Sequence, residues 1–269
     1  MPGKVYIVGA GPGSADLLTL RAAKLLRAAQ VVLHDDLVPA EILELCPASA
    51  LIVNVGKRCG RHGSSQEQIN ALMVWHANAP AAQMIVRLKS GDPAVFARLG
   101  EELDALRRAG VEFEIVPGIT AAAAAAAAAS LTLTDRRSAS ALVVLTAHNC
   151  RNESLGGTMF DPARSTYAIY MPGPDYSRTA KGLMDSGQDA ATPCAIVSNA
   201  GRTNEEVRYL TLRELELAKG IPAPAVLIVG EVARAVAQRA HADFPGLRSA
   251  THVDANATSV PGTAASSQT

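Results

Sequence analysis

Aromatic side chains are scarce in this 269-residue chain, where one tryptophan, five tyrosines and four phenylalanines amount to 4%. With few large anchors available, the interior falls to alanine and valine, and that composition points to α/β packing with close helix contacts. Neither sign of charge is in excess, 25 Lys plus Arg standing against 25 Asp plus Glu. No overall field therefore favours nucleic acid or a membrane surface as partner. Cysteine is limited to Cys46, Cys59, Cys150 and Cys194, widely spaced and in no paired motif. A disulfide framework or a metal site is not expected from such spacing. Long apolar runs are also missing. Lys4 is followed by a short apolar stretch that meets Gly9 at once, neither a secretory signal nor a membrane span, so a cytoplasmic, reducing location is expected.

What is present is a repeated unit of strand, turn and helix. Residues 5–8 form an apolar run ending in Gly9-Ala10-Gly11-Pro12-Gly13, after which Leu17, Leu20 and Leu25 are spaced for one helical face. Residues 31–33 run into His34-Asp35-Asp36-Leu37-Val38-Pro39, and residues 51–55 into Gly56-Lys57-Arg58-Cys59-Gly60-Arg61-His62-Gly63. Ser64-Ser65-Gln66-Glu67 fits a capping box for a helix buried through Ile69, Leu72 and Met73, with Trp75 and His76 read as packing residues. Met84, Val86 and Leu88 then alternate with Ile85, Arg87 and Lys89, the pattern of a strand whose two faces differ. Phe96, Leu99, Leu103 and Leu106 follow at helical spacing, closed by Gly110. Residues 113–116 make a fifth strand ending in Pro117-Gly118-Ile119-Thr120. The nine alanines from Ala121 to Ala129 come next, strongly helix-forming and too short to cross a bilayer.

Five such units fill a small α/β domain, which puts a boundary near Gly118. Beyond it, residues 141–146, 166–171, 193–198, 206–210 and 225–229 read as strands. Helices fit around 179–184, 212–219 (capped by Thr211 with Glu214) and 231–239. Some of these connections are too short for a helical crossover, so the second sheet is expected to be mixed. The organisation is thus an α/β fold of two α/β domains, residues 1–118 and 119–244, with a disordered tail at 245–269.

In open parallel sheets, ligands sit at the carboxyl ends of strands. At Ser90-Gly91-Asp92-Pro93, Gly91 lets a ligand approach the backbone and Asp92 offers an anion to a positively charged small molecule. The same residues also suit a plain helix start, with Asp92 as N-cap and Pro93 as first helical residue. Asp35-Asp36 is either a cap for a helix near Pro39 or a base facing the cleft, and adjacent residues on an extended segment cannot both face it. The glycine turn is a phosphate cradle or a structural turn. A dinucleotide fingerprint needs a third glycine where Ser14 stands, and Pro12 stiffens the turn. A nicotinamide-dependent oxidoreductase, with Asp35 or Asp36 at the required spacing, is accordingly the remote alternative.

Taken together, these motifs resemble the tetrapyrrole methylases. The resemblance is carried by Val8-Gly9-Ala10-Gly11-Pro12-Gly13, Val32-Leu33-His34-Asp35, Val55-Gly56-Lys57-Arg58, Gln66-Glu67 with Ile69-Asn70, Arg87-Leu88-Lys89 with Gly91-Asp92-Pro93, Gly100-Glu101-Glu102-Leu103 and Val116-Pro117-Gly118-Ile119-Thr120. It spans roughly residues 4 to 240 and is closest to the members that methylate ring carbons of uroporphyrinogen III. It implies S-adenosylmethionine as methyl donor, S-adenosylhomocysteine as product, no metal, and a site in the trough between two domains of a homodimer. Two successive methylations would give precorrin-2, on the way to sirohaem or cobalamin. By motif, Pro12, Ser90, Gly91, Asp92, Val95, Thr120, Ala121, Met171, Ala200 and Ala225 fall at donor-contacting positions. Asp35 falls at the proposed proton acceptor and Lys57 at the proposed proton donor. Arg58, Arg61, Lys89 and Arg98 are the cations expected to meet the eight substrate carboxylates. Ser90, Ala97-Arg98-Leu99, Asp135 and Ala147 depart from the usual residues, which leaves another corrin precursor or a non-tetrapyrrole acceptor as the alternative within the same fold.

Overall fold

The apolar runs of the first half become five strands, β1 (Lys4–Gly9), β2 (Val31–His34), β3 (Leu51–Asn54), β4 (Met84–Lys89) and β5 (Phe113–Val116). All are parallel, in the order β3-β2-β4-β1-β5. The computed structural model describes residues 3–56, 64–80, 84–147, 161–173 and 175–236. The crossovers carry α1 (Leu20–Ala28), α2 (Ala40–Leu43), α3 (Gln66–Ala77) and α4 (Leu99–Arg108). One face of the sheet packs Val5, Ile7, Leu33 and Ile85 with Met73 and Leu106 of α3 and α4. The other packs Val8, Val32, Val86 and Leu88 with Ala22 and Leu26 of α1.

The second half comprises α5 (Ala121–Ala128), β6 (Ala141–Thr146), β7 (Ser165–Tyr170), α6 (Tyr176–Asp185), β8 (Pro193–Ser198), β9 (Glu206–Thr211), α7 (Leu212–Leu215) and β10 (Ala225–Val229). Its sheet runs β6-β7-β10-β8-β9. It is mixed as expected, with β6 and β7 parallel and the other pairs antiparallel. The all-alanine α5 presents no bulk, so Ala124, Ala125 and Ala126 lie close on Ala195, Val197, Val226 and Ile228.

Several local expectations need correction. β4 is buried from Ile85 to Lys89, because a central strand has both faces covered. Its alternation marks a polar network on one side, not solvent. The helix after β4 starts at Leu99 and not at Asp92-Pro93, since Phe96 and Arg98 have φ of 50° and 55° and a positive φ cannot continue a right-handed helix. The capping box of α3 uses Ser65 with Gln68, one residue later than expected. Trp75 is exposed rather than packed, Leu20 lies outside the core, and α7 is a single turn. The helix expected at 231–239 opens with a 3-10 turn at Glu231–Ala233 and is helical at 234–236, the rest lying outside the described residues. Residues 245–269 lie outside the described residues.

Candidate active site

β1 and β4 are neighbours, yet their connections leave in opposite directions, β1 toward β2 and β4 toward β5. The turns at their carboxyl ends therefore pass one another, in backbone contact. Ala10 N donates to Lys89 O at 2.7 Å, Gly91 N to Gly11 O at 2.7 Å, and Gly11 N to Gly91 O at 3.2 Å. The turn after β5 closes on the same point, where Gly118 N donates to Asp92 Oδ2 at 3.0 Å. A Cβ on Gly9 would stand 2.6 Å from Gly118 Cα and 2.7 Å from Gly91 O, so three backbones converge only because no side chain intervenes. Diverging connections at strand ends are where α/β sheets take ligands. Gly91 has φ +70°, and outside its chain neighbours the nearest atom to a Cβ built there is Ala121 N at 4.0 Å. No side chain therefore stands between this turn and the start of α5, which is the nearest neighbour on that side.

The second sheet meets this junction at two places. At the first, the Tyr170 hydroxyl shares a 2.5 Å hydrogen bond with Thr120 Oγ1 and accepts one of 3.0 Å from Ala122 N. Its ring lies 5.2 Å from that of Phe96. At the second, Ser14 N donates to Gly201 O at 2.7 Å and Arg202 Nη2 to Leu37 O at 2.5 Å. A Cβ on Gly13 would overlap the Gly201 carbonyl. That glycine accordingly serves contact with the β8–β9 turn, a use unrelated to the pyrophosphate cradle of a dinucleotide site. Five non-glycine residues among those described have positive φ, and four of them, Phe96, Arg98, Met171 and Asn199, lie in these loops. Such conformations cost of order 1 kcal/mol and concentrate where function needs them.

Of the expected donor contacts, Pro12, Ser90, Gly91, Asp92, Thr120 and Ala121 lie on the converging turns. Val95 joins them, its N donating to Asp92 O at 3.2 Å. Met171 follows Tyr170 directly. Ala200 precedes Gly201, and Ala225 pairs with Ser198 at the same end of the sheet. Asp92 spends its carboxylate on Gly118 N and on Ala94 N, at 2.8 Å. It pins two turns together and caps no helix.

Asp35 stands just past β2 with its side chain 28% exposed, and Oδ1 accepts from Arg87 Nη2 at 2.5 Å. Ser90 N makes a long 3.4 Å contact with its other oxygen. Behind it, Arg87 Nε donates to Glu102 Oε1 at 2.9 Å, while Lys89 Nζ reaches both Glu102 oxygens at 2.8 Å. Arg87, Lys89 and Glu102 are all buried. Burial works against the Arg87 charge, but Asp35 and Glu102 more than offset it and hold its pKa above the ordinary value. Burial, seconded by Arg87, draws Lys89 below the usual lysine value against the opposing pull of Glu102. Lys89 is therefore corrected from a substrate-facing cation to an internal one. Arg98 is exposed and pairs with Glu101 at 2.6 Å. Lys57, Arg58 and Arg61 lie outside the described residues.

Tyr170, Glu102 and Arg202 escaped the sequence reading. A signal existed for Glu102, which sits three residues after Leu99 and four before Leu106, a charge on an apolar stripe. Tyr170 and Arg202 carry no such mark. Among the described residues, no group of three or more His, Cys, Asp or Glu is placed to hold a metal, and no helix is long and apolar enough to cross a membrane.

Comparison with known proteins gives a consistent result. The family described as Tetrapyrrole (Corrin/Porphyrin) Methylases matches residues 4–216. Siroheme synthase 1 of Pectobacterium atrosepticum is 43% identical over 233 residues, 86% of this chain and 48% of that protein. The chain thus spans about half the length of the curated relatives it matches. The structure of uroporphyrin-III C-methyl transferase from Thermus thermophilus, complexed with S-adenosyl homocysteine, is 37% identical with a TM-score of 0.73, covering 87% of this chain and 100% of that one. A cobalt precorrin-4 methyltransferase is 30% identical with a TM-score of 0.74, covering 86% of this chain and 95% of that one.

Proposed function

The chain belongs to the tetrapyrrole methylase family, and from that premise we propose that it is an S-adenosylmethionine-dependent C-methyltransferase converting uroporphyrinogen III to precorrin-2 by two methylations. The observation that carries this reading is the meeting of the Gly9–Gly13, Ser90–Asp92 and Gly118–Thr120 turns beside a partly exposed Asp35. Similarity to the Thermus methyltransferase over its full length supports the choice of acceptor. We take residues 1–118 and 119–244 as the two domains flanking the trough, and the working form as a cytoplasmic homodimer.

When bound, S-adenosylmethionine supplies an electrophilic methyl group. Its binding is assigned to the turn at Gly91, with Pro12, Ser90, Asp92, Val95, Thr120 and Ala121 on one wall and Met171, Ala200 and Ala225 on the other. Transfer to carbon depends chiefly on alignment, which is what turns locked by backbone hydrogen bonds provide. Methylation leaves the macrocycle with extra positive charge and a proton to lose. Asp35, fixed by Arg87, serves as acceptor of that proton or as counter-charge, and Lys57 as proton donor. Arg58, Arg61 and Arg98 are assigned to the substrate carboxylates.

Anaerobic incubation with enzymatically made uroporphyrinogen III and labelled donor is expected to yield a product carrying two labelled methyl groups by mass. A chain that labels only a later corrin precursor would transfer the reading to another acceptor within the same fold, of the kind served by the 30% identical cobalt precorrin-4 methyltransferase. Asp92→Ala should lower stability by about 1–3 kcal/mol, because two backbone N–H groups lose their acceptor, and should weaken donor binding in calorimetry. A loss of melting temperature with donor affinity intact would reduce Asp92 to scaffolding.

A further inference from the structure

Building on the reading of Asp35 as the group that faces the tetrapyrrole, we propose that Glu102 is a positioning residue, which keeps the Asp35 carboxylate turned into the trough by occupying the two cations behind it. The period of β4 puts Arg87 and Lys89 two residues apart on one face, and both reach α4 at Glu102. All three are buried, with Glu102 fully so. Two adjacent buried cations are strongly unfavourable unless an anion sits between them, and well-packed apolar residues would serve stability as well. Their presence directly behind a cleft carboxylate calls for a use.

The hydrogen bonds define that use. Arg87 is fixed by Nε to Glu102 and by Nη1 to Leu33 O and Leu88 O, at 3.3 and 3.2 Å. Its Nη2 is left pointing at Asp35. Lys89 spends its hydrogen bonds on both Glu102 oxygens and feels Asp35 only through charge. Within this set of two cations and two anions, Asp35 is the one member that reaches solvent. If Glu102 lost its charge, Asp35 would be the sole anion left for two buried cations. It would turn inward toward Lys89, and the trough would lose its carboxylate while the turns around the donor stayed in place.

The test is a charge-restoring pair. Glu102→Gln keeps size and hydrogen-bonding atoms but leaves the set with one uncompensated positive charge. It should lower kcat about tenfold or more, in line with small misplacements of reacting groups, with KM and donor Kd within about twofold. Adding Lys89→Met returns the set to neutrality and should restore most of the turnover, a coupling that independent structural damage would not give. Crystals of Glu102→Gln should show the Asp35 carboxylate withdrawn from Arg87 Nη2. Full turnover in Glu102→Gln would overturn the proposal, as would a folded double variant no faster than the single one. Should the single variant fail to fold, the double variant decides alone, with near wild-type turnover supporting the proposal. A wild-type protein that leaves the tetrapyrrole unmethylated overturns the functional reading instead, because the position of Asp35 in the crystal is read without turnover.

Discussion

Asp35→Asn is expected to lower turnover on uroporphyrinogen III by about 100- to 10,000-fold, the span typical for removing a positioned acid–base group. Asparagine keeps the size of the side chain and still offers an oxygen to Arg87, so the replacement subtracts charge and basicity while preserving shape. Asp35 lies outside the turns that meet at Gly91, touching them only through the long contact with Ser90 N. Donor affinity by calorimetry should accordingly stay within about threefold, since no close hydrogen bond to those turns is lost. Loss confined to kcat would agree with a group acting on the methylated ring. A variant as fast as wild type would exclude Asp35 from the chemistry. A variant that no longer binds donor would place it in the other half of the site.

Gly118→Ala should have the largest effect on the scaffold. A Cβ there would overlap the Gly91 carbonyl oxygen and lie 2.8 Å from Gly9 Cα and 3.0 Å from Gly9 C. All of these are backbone atoms, none of which rotates out of the way, so three turns must move apart. Overpacking of this kind costs about 3 kcal/mol or more, which corresponds to a fall in melting temperature of roughly 6–12 °C. Donor affinity should fall at least about tenfold as the turns separate. Gly100→Ala is the matched control. Gly100 lies in α4 with nothing within 4 Å of its added carbon, and alanine there should stabilise by about 0.5–1 kcal/mol. If Gly118→Ala melts and binds like Gly100→Ala, the convergence of backbones has no role in holding the donor.

A strand written as an unbroken apolar run between a proline and a glycine was legible from the sequence, as at Ala225–Val229. The glycine-containing turns were legible too, because glycine at a strand's carboxyl end has few explanations. Partnerships were not. Arg87 and Lys89 look like a solvent face until Glu102 arrives from a helix thirteen residues beyond Lys89. Asp92 carries every local mark of an N-cap, yet one of its oxygens closes a local turn at Ala94 and the other goes to a turn 26 positions later. Tyr170 looks like any strand residue, and its role depends on Thr120, fifty positions earlier. Local rules read what neighbours in sequence impose, whereas these side chains answer to groups brought near by the sheet.

The placing of β4 between β2 and β1 also governs how the chain comes to exist as a folded body. β1 is hydrogen-bonded to β4 and β5 and to neither β2 nor β3. A nascent chain that has emerged only as far as Asn54 can pair β2 with β3, but its first strand has nowhere to dock. β1 must wait for residues 84–89 before the sheet has a centre, so assembly of this half depends on a long-range pairing and cannot run in strand order.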